Sequence, residues 1–157
     1  MARSAVLAGR TLADLVRNVF VVALMFAVGF AVGWRVHTGL VPLIGAVLLI
    51  LLFGYALSWI FATVGLVVKD PETAQAAAFP ILAPLVFASN AFVPVASMPD
   101  WLQPWAEHQP VSVVITAVRD LTIGGATTFD LVAAVLWCLA ILAVAAPFAV
   151  RRYRRAA

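Results

Sequence analysis

The sequence predicts an all-α, polytopic membrane protein with four transmembrane helices, an N-terminal amphipathic helix and outer interfacial or re-entrant helices. Of its 157 residues, 65% are hydrophobic and only 11% are charged, whereas soluble domains have about 45–50% apolar and about 25% charged residues. Long uncharged runs recur along the chain, and a span needs roughly 20 such residues. The arginines flank these runs rather than cover one polar face, which argues against a nucleic-acid surface.

The four spans are expected at about 18–36, 40–68, 73–95 and 130–150, with an outer helical segment over 100–125. Every basic residue except Arg35 and Arg119 then falls on one side, which the positive-inside rule assigns to the cytoplasm. The protein is therefore expected in the inner membrane, with both termini in the cytoplasm. A cleaved signal peptide fits the start of the chain less well, because the segment before the first run is long and further spans follow.

Residues 1–17 are expected to form an amphipathic helix on the cytoplasmic side, since their arginines and apolar residues recur at helical spacings. Small residues four apart, Gly29 with Gly33 and Gly54 with Ser58, predict close packing between neighbouring helices.

The third span contains two prolines and a polar pair. Pro80 and Pro84 each remove a backbone hydrogen bond, so we expect a bent helix that faces protein rather than lipid. For Asn90, next to Ser89, two interpretations stay open: a hydrogen bond to a neighbouring helix, or a place along a substrate path.

The outer segment 100–125 is the most distinctive part of the chain. Trp101 and Trp105 are placed to lie at the headgroup level. From Val111 onward an apolar stripe alternates with a polar face that carries Ser112, Thr116 and Arg119, and Gly124 ends the pattern. This predicts an amphipathic helix that lies on the outer surface or dips into it.

No catalytic, cofactor or metal site is expected in this chain. Glu107, His108 and His37 lack the spacing of a metal-ligand set. The uncharged runs offer neither paired acids nor the ionisable relay of a proton-coupled carrier. A phosphate-binding G-x-x-x-x-G-K-[ST] loop is also missing. If transport is energised, the energy comes from another polypeptide.

Several blocks of sequence resemble the ABC-2 type transporter permease family, and most of all its daunorubicin/doxorubicin resistance, drug-export branch. The specific blocks are F-V-P, M-P-D-W-L-Q-P and Q-P-V-S with the following A-V-R, at 92–94, 98–104, 109–112 and 117–119. The stretch V-V-K-D-P-E-T-A-Q over 67–75 and the closing R-R-Y-R-R over 151–155 extend the likeness to most of the chain.

The resemblance implies one permease domain over 1–157 that corresponds to the last four of six family spans, and so is N-terminally truncated relative to the family. It also implies a cytoplasmic ATP-binding cassette subunit that carries ATP and Mg²⁺, a second permease copy as homodimer or paralogue, and surrounding lipid. Three groups of residues are then candidates: an ATPase contact at Arg10, Arg17, Lys69 and Asp70; a translocation path at Ser58, Thr63, Ser89 and Asn90; and an outer lid at Trp101, Trp105, His108 and Arg119.

The expected function is export of amphipathic drug-like or lipid-like compounds, because an uncharged lining with few polar groups suits such cargo. Two alternatives remain. A lipid-linked glycan exporter would have the same architecture, and a non-transporting membrane assembly or immunity subunit would share only the helices.

Overall fold

The computed structural model describes residues 2–68, 71–125 and 127–156, and all regular structure in these ranges is helical. Six α-helices follow in order, with a short 3₁₀ turn at Val95–Ser97 between the third and fourth. We number them α1 to α6: Ala2–Ala31, Leu40–Val67, Pro71–Phe87, Gln103–His108, Pro110–Ile123 and Thr128–Ala156.

The first helix runs without interruption through the predicted amphipathic segment and the first predicted span. It ends at Ala31, where Gly33 takes a positive φ of 101° that residues with a side chain rarely adopt. The amides of Gly33 and Trp34 bond back to the carbonyls of Phe30 and Gly29, at 3.2 and 2.9 Å. This is the paired Schellman arrangement that closes a helix C-terminus.

Among the described residues, neither Gly29 nor Gly33 faces another helix. A side chain at Gly29 would meet the Trp34 ring at 3.6 Å, so this glycine leaves room for the tryptophan, while Gly33 ends the helix. The Trp34 ring also lies 5.5 Å from the ring of Phe26 and 5.3 Å from that of Phe30. The end of α1 therefore carries its own aromatic cluster.

The glycine in α2 does face another helix. A Cβ placed on Gly54 would lie 3.5 Å from the Asn18 side-chain nitrogen of α1, and α1 packs against α2. Gly54 thus matches its predicted role, and the contact fixes the register of the first two helices.

We expect Gly54→Leu to lower the free energy of unfolding of the purified protein by about 1–3 kcal/mol, because a larger side chain forces α1 away from α2. The accompanying fall in melting temperature is measured by fluorescence-detected size-exclusion chromatography after heating. Gly65→Leu is the matched control on the same helix, since nothing lies within 4 Å of that position. Equal melting temperatures for the two variants would contradict the assigned contact.

The core forms where α2, α5 and α6 pack against one another. Leu49 of α2, Val114 and Ala117 of α5, and Ala134 and Cys138 of α6 make one buried cluster. The three alanine and cysteine side chains are fully buried, which lets these helices approach closely.

The beginning of α2 and the end of α5 lie side by side. The amide of His37 donates to the carbonyl of Thr122 at 3.0 Å, and the hydroxyl of Thr38 donates to the carbonyl of Leu121. A side chain at Gly45 would touch Leu121 at 3.8 Å. Because Leu49 meets Val114 and Ala117 further along, α5 runs antiparallel to α2.

It follows that α2 and α6 run in the same direction. The chain enters α6 directly after α5, at the end of the molecule where α2 begins. The return from the end of α2 to the start of α6 is therefore made by α3 and α5 in sequence.

Within the described ranges, three helices are long and apolar enough to cross a membrane: Ala13–Ala31, Leu40–Gly65 and Thr128–Arg151. With 17 residues, α3 falls short of this length, although Pro80 and Pro84 lie inside it as the sequence indicated. It ends at Phe87, well before the expected end of the third span. This early end creates the polar region described next.

Candidate functional site

The α3 helix is ended by a local turn at Ser89, which is fully buried. Its hydroxyl donates to the carbonyl of Val86 at 2.6 Å and accepts the amide of Ala91 at 3.2 Å. Serine competes with the helix for backbone partners in this way. As a result, the backbone leaves the helix, and Ala88 and Asn90 turn toward α5.

The α5 helix begins where a glutamine precedes a proline. Gln109 is extended, with φ −67° and ψ 149°, as the steric demand of the following Pro110 requires. Pro110 then opens the helix, where its missing N–H costs nothing. This local rule separates α4 from α5 and buries the Gln109 side chain.

Side chains from α5 meet the end of α3 in a network of hydrogen bonds. Gln109 Nε2 donates to the carbonyl of Ala88 at 2.8 Å and approaches Ser112 Oγ at 3.3 Å. The amide of Asn90 donates to the same Ser112 oxygen at 3.1 Å. We call this region the α3–α5 junction; it comprises Ala88, Ser89, Asn90, Gln109, Ser112, Thr116 and Arg119.

The other side of the junction is held by Asn90. Its Nδ2 lies 2.6 Å from Thr116 Oγ1, and its carbonyl accepts a hydrogen bond from Arg119 Nη2 at 3.3 Å. Arg119 itself is exposed. The polar face predicted for α5 thus points to the end of α3 rather than to bulk solvent.

The junction lies about midway along α2. Val114 belongs to the same buried cluster as Leu49, and Gln109 lies about 7 Å from Val114 toward the α2 C-terminus, at 1.5 Å per residue. This places the polar network level with a stretch of α2 that has no charged residue.

Two side-chain oxygens in the junction, Gln109 Oε1 and Asn90 Oδ1, are buried and accept no hydrogen bond from the described part of the chain. Gln109 is 4% exposed. Buried polar atoms almost always have a partner, so these oxygens mark the junction as more than ordinary helix packing.

Comparison with known proteins identifies the family. The family model described as "ABC-2 type transporter" matches residues 1–123. The chain belongs to the ABC-2 type transporter family. It is therefore a multi-pass membrane permease component, and the resemblance seen in the sequence is confirmed.

The similar proteins include drug-resistance permeases. The chain is 37% identical over 150 residues to the Daunorubicin resistance ABC transporter permease protein DrrB1 of Streptomyces coeruleorubidus, covering 96% of this chain and 53% of that one. It is 33% identical over 161 residues to the Probable doxorubicin resistance ABC transporter permease protein DrrC of Mycobacterium tuberculosis, covering 98% and 55%. The ABC-2 chain thus spans about half the length of these relatives. No solved structure matches it.

The residues expected to line a path fall into two pairs in this ABC-2 permease. Ser58 and Thr63 lie on α2, and their hydroxyls donate to carbonyls of their own helix, Tyr55 at 2.7 Å and Trp59 at 2.9 Å. Ser89 and Asn90 lie in the junction. Among the described hydrogen bonds, none joins one pair to the other.

The expected ATPase contact is described only in part. Arg17 is exposed on α1, whereas Lys69, Asp70 and the side chain of Arg10 lie outside the described residues. Because Asn18 packs at Gly54, Arg17 lies about 20 Å along the helix axis from the end of α2. Arg17 and the end of α2 are therefore far apart, and Arg10 lies further along α1 in the direction of that end.

Three of the four expected lid residues lie in or directly before α4. Trp101 is 78% exposed and precedes the helix, while Trp105 within it is 45% exposed. His108 Nδ1 lies 2.8 Å from the carbonyl of Pro104, so that ring is held by its own turn. Arg119 belongs to the junction instead. Only the first three therefore share one local region.

Sequence reasoning placed Asn90, Ser112 and Thr116 in polar positions but missed Gln109. A signal was present, because a glutamine directly before a helix-opening proline begins the polar face of α5. Among the described residues, no group of three or more His, Cys, Asp or Glu side chains is placed to hold a metal ion.

Proposed function

We propose that this chain is the transmembrane permease subunit of an ATP-driven exporter that moves amphipathic drug-like or lipid-like compounds out of the cell. The observation that carries the proposal is its likeness, over nearly its whole length, to two permeases named for drug resistance. The apolar helices with a small polar network at mid-length suit cargo that is mostly apolar and makes few polar contacts.

We further propose that residues 1–157 form one permease domain with four crossings, the third of them shared by two helices. Its inner half is α3 and its outer half is α5. The support is geometric, because α2 and α6 run in the same direction and the chain returns between them through these two helices. Irregular backbone at membrane depth is tolerated where it is covered by protein, and the buried turn at Ser89 meets that condition.

The proposed location is the inner membrane with both termini in the cytoplasm. The positive-inside rule supports it, since Arg3, Arg10, Arg17, Lys69 and the terminal arginines then lie on one side. A cytoplasmic ATP-binding subunit would supply hydrolysis with its own ATP and Mg²⁺. It would dock at the end of α2, which Lys69 and Asp70 follow, and extend along α1 toward Arg10 and Arg17.

Transport would proceed by alternating access. ATP binding would draw the cytoplasmic faces of two permease copies together, and the ATPase must contact the two conformations unequally for this to shift their populations. Cargo would pass Ser58, Thr63, Ser89 and Asn90, and Trp101, Trp105, His108 and Arg119 would close the path toward its outer end.

The deciding experiment is export of an uncharged amphipathic dye, Nile red, from cells that express the full-length permease and its ATP-binding subunit. We expect cells with the complete pair to retain several-fold less dye than cells with an ATP-binding subunit whose catalytic glutamate is replaced. Equal retention at equal membrane abundance would contradict the exporter function.

Alanine at both Trp101 and Trp105 tests the lid in the same assay. Unchanged export in this variant would mean that the region is only a membrane anchor.

A further inference from the structure

The unpaired oxygen of Gln109 has a fixed orientation. Its amide nitrogen faces the carbonyl of Ala88 at 2.8 Å, and a carbonyl only accepts hydrogen bonds. Turning the amide over would place two acceptors against each other. The oxygen Oε1 is therefore the atom of this amide that has no hydrogen-bond partner. It is buried, since Gln109 is only 4% exposed.

A second acceptor lies in the same network. Asn90 Oδ1 is also buried without a partner, and both Asn90 and Gln109 hydrogen-bond to the hydroxyl oxygen of Ser112. The hydroxyl of Thr116 is able to donate as well as accept, so the orientation of the Asn90 amide is less constrained. Gln109 is thus the principal acceptor, and Asn90 is its neighbour.

The charge nearby selects among possible donors. The Arg119 guanidinium lies 3.3 Å from the carbonyl of Asn90, so a positive charge already occupies the edge of the junction. A second cation would be repelled, whereas an uncharged hydroxyl or amide N–H would not. In hydrocarbon, such a donor relieves the cost of an unpaired carbonyl oxygen.

We propose that the α3–α5 junction binds the hydrogen-bond-donating head of an uncharged amphipathic cargo, with Gln109 Oε1 as the principal acceptor and Asn90 as its neighbour. The assignment of this site rests on the proposed export function, and it specifies the chemical class of the exported substrate. An alcohol, a phenol or a secondary amide is recognised, and the corresponding ether or tertiary amide is not.

Access to the site requires the end of α3 to move. Both oxygens are covered in this conformation. Two hydrogen bonds hold the end of α3 there: the Ala88 carbonyl accepts from Gln109, and the Asn90 amide donates to Ser112. The α3 helix packs along α2, and the proposed binding requires its end to shift along that helix while α5 stays in the core. The head of the cargo then enters the space that α3 leaves and donates its hydrogen bond to Gln109 Oε1.

The test uses inverted membrane vesicles that contain the complete transporter and two matched probes, 2-hydroxy Nile red and its methyl ether. ATP-dependent uptake gives KM for each probe. We expect the ratio of ether KM to phenol KM to be about tenfold larger in the wild type than in Gln109→Met, which keeps the side-chain length and removes the acceptor. Comparing ratios cancels the different lipid partitioning of the probes.

Gln103→Met is the control, because Gln103 Nε2 bonds to the carbonyl of Met98 outside the junction, at 2.8 Å. It should keep the wild-type ratio. An unchanged ratio in Gln109→Met, or an equal fall in both variants, overturns the inference while leaving export intact. If ATP drives neither probe into wild-type vesicles, the proposed function is wrong as well.

A second measurement needs no variant and holds even if Gln109→Met does not assemble. A diazirine derivative of the hydroxylated dye should label peptides that contain residues 88–91 or 109–116, and excess phenol should compete about tenfold better than excess ether. Labelling confined to other segments, or equal competition by the two probes, overturns the inference.

Discussion

Replacing Ala117 by leucine is expected to displace α5 and to abolish export. Ala117 is fully buried in the core cluster, where α5 packs against both α2 and α6. A leucine there needs room that close-packed helices do not have, and overpacking of this kind costs about 1–3 kcal/mol. The loss extends to the junction, because Ser112, Thr116 and Gln109 keep their partners on α3 only while α5 stays in place.

The measurement is the melting temperature of the purified complex together with ATP-dependent dye export. Ala140→Leu is the matched control, since the same enlargement is made on α6 at an exposed position. We expect the control to keep both properties. Wild-type melting and export in Ala117→Leu would show that α5 is not held in the core as described.

A cysteine at Thr127 is expected to react with an impermeant thiol reagent in whole cells, and a cysteine at Ala157 is expected to stay unlabelled until the cells are opened. Thr127 is exposed and directly precedes α6, at the end of the molecule shared with the start of α2. If α6 crosses the membrane once from there, the chain end lies on the other side. The terminal arginines favour the inner leaflet by about 1 kcal/mol each.

Both cysteines are introduced after Cys138 is replaced, preferably by alanine, because that position is buried in the core. The all-or-none contrast between the two sites makes this test insensitive to small changes in stability. Labelling of Ala157→Cys in intact cells would contradict the four-crossing topology, and so would protection of Thr127→Cys.

Local rules read from the sequence anticipated several elements. The uncharged run over 40–68 became α2, Leu40–Val67, because a fully apolar segment has no alternative to an internally bonded helix in lipid. The polar positions Ser112 and Thr116 were recognised on one face of α5 from their spacing. The F-V-P, M-P-D-W-L-Q-P and Q-P-V-S blocks led to the ABC-2 family, which the comparison confirms.

Other features depended on contacts between distant residues. The end of α3 at Phe87 was not predicted, because the apolar run continues beyond it. Ser89 makes the local turn there, and Gln109 and Ser112, more than 20 residues further along, stabilise it. The pairing of Gly29 and Gly33 was interpreted as a helix-packing face, but Trp34 folds back over Gly29. The four-residue spacing of two glycines does not show whether another helix or a single aromatic ring fills the space beside them.

Hydrophobicity and flanking charge by themselves determined that this is a helical membrane protein, because the cost of placing charges and unpaired backbone in hydrocarbon is paid residue by residue along the chain. Its family followed from short local blocks. Only the tertiary structure decided that α5 packs against both α2 and α6, that the end of α3 meets the start of α5, and that the Gln109 oxygen is left without a donor. These are properties of packing, in which a residue's partner lies far away in sequence, so no local pattern encodes them.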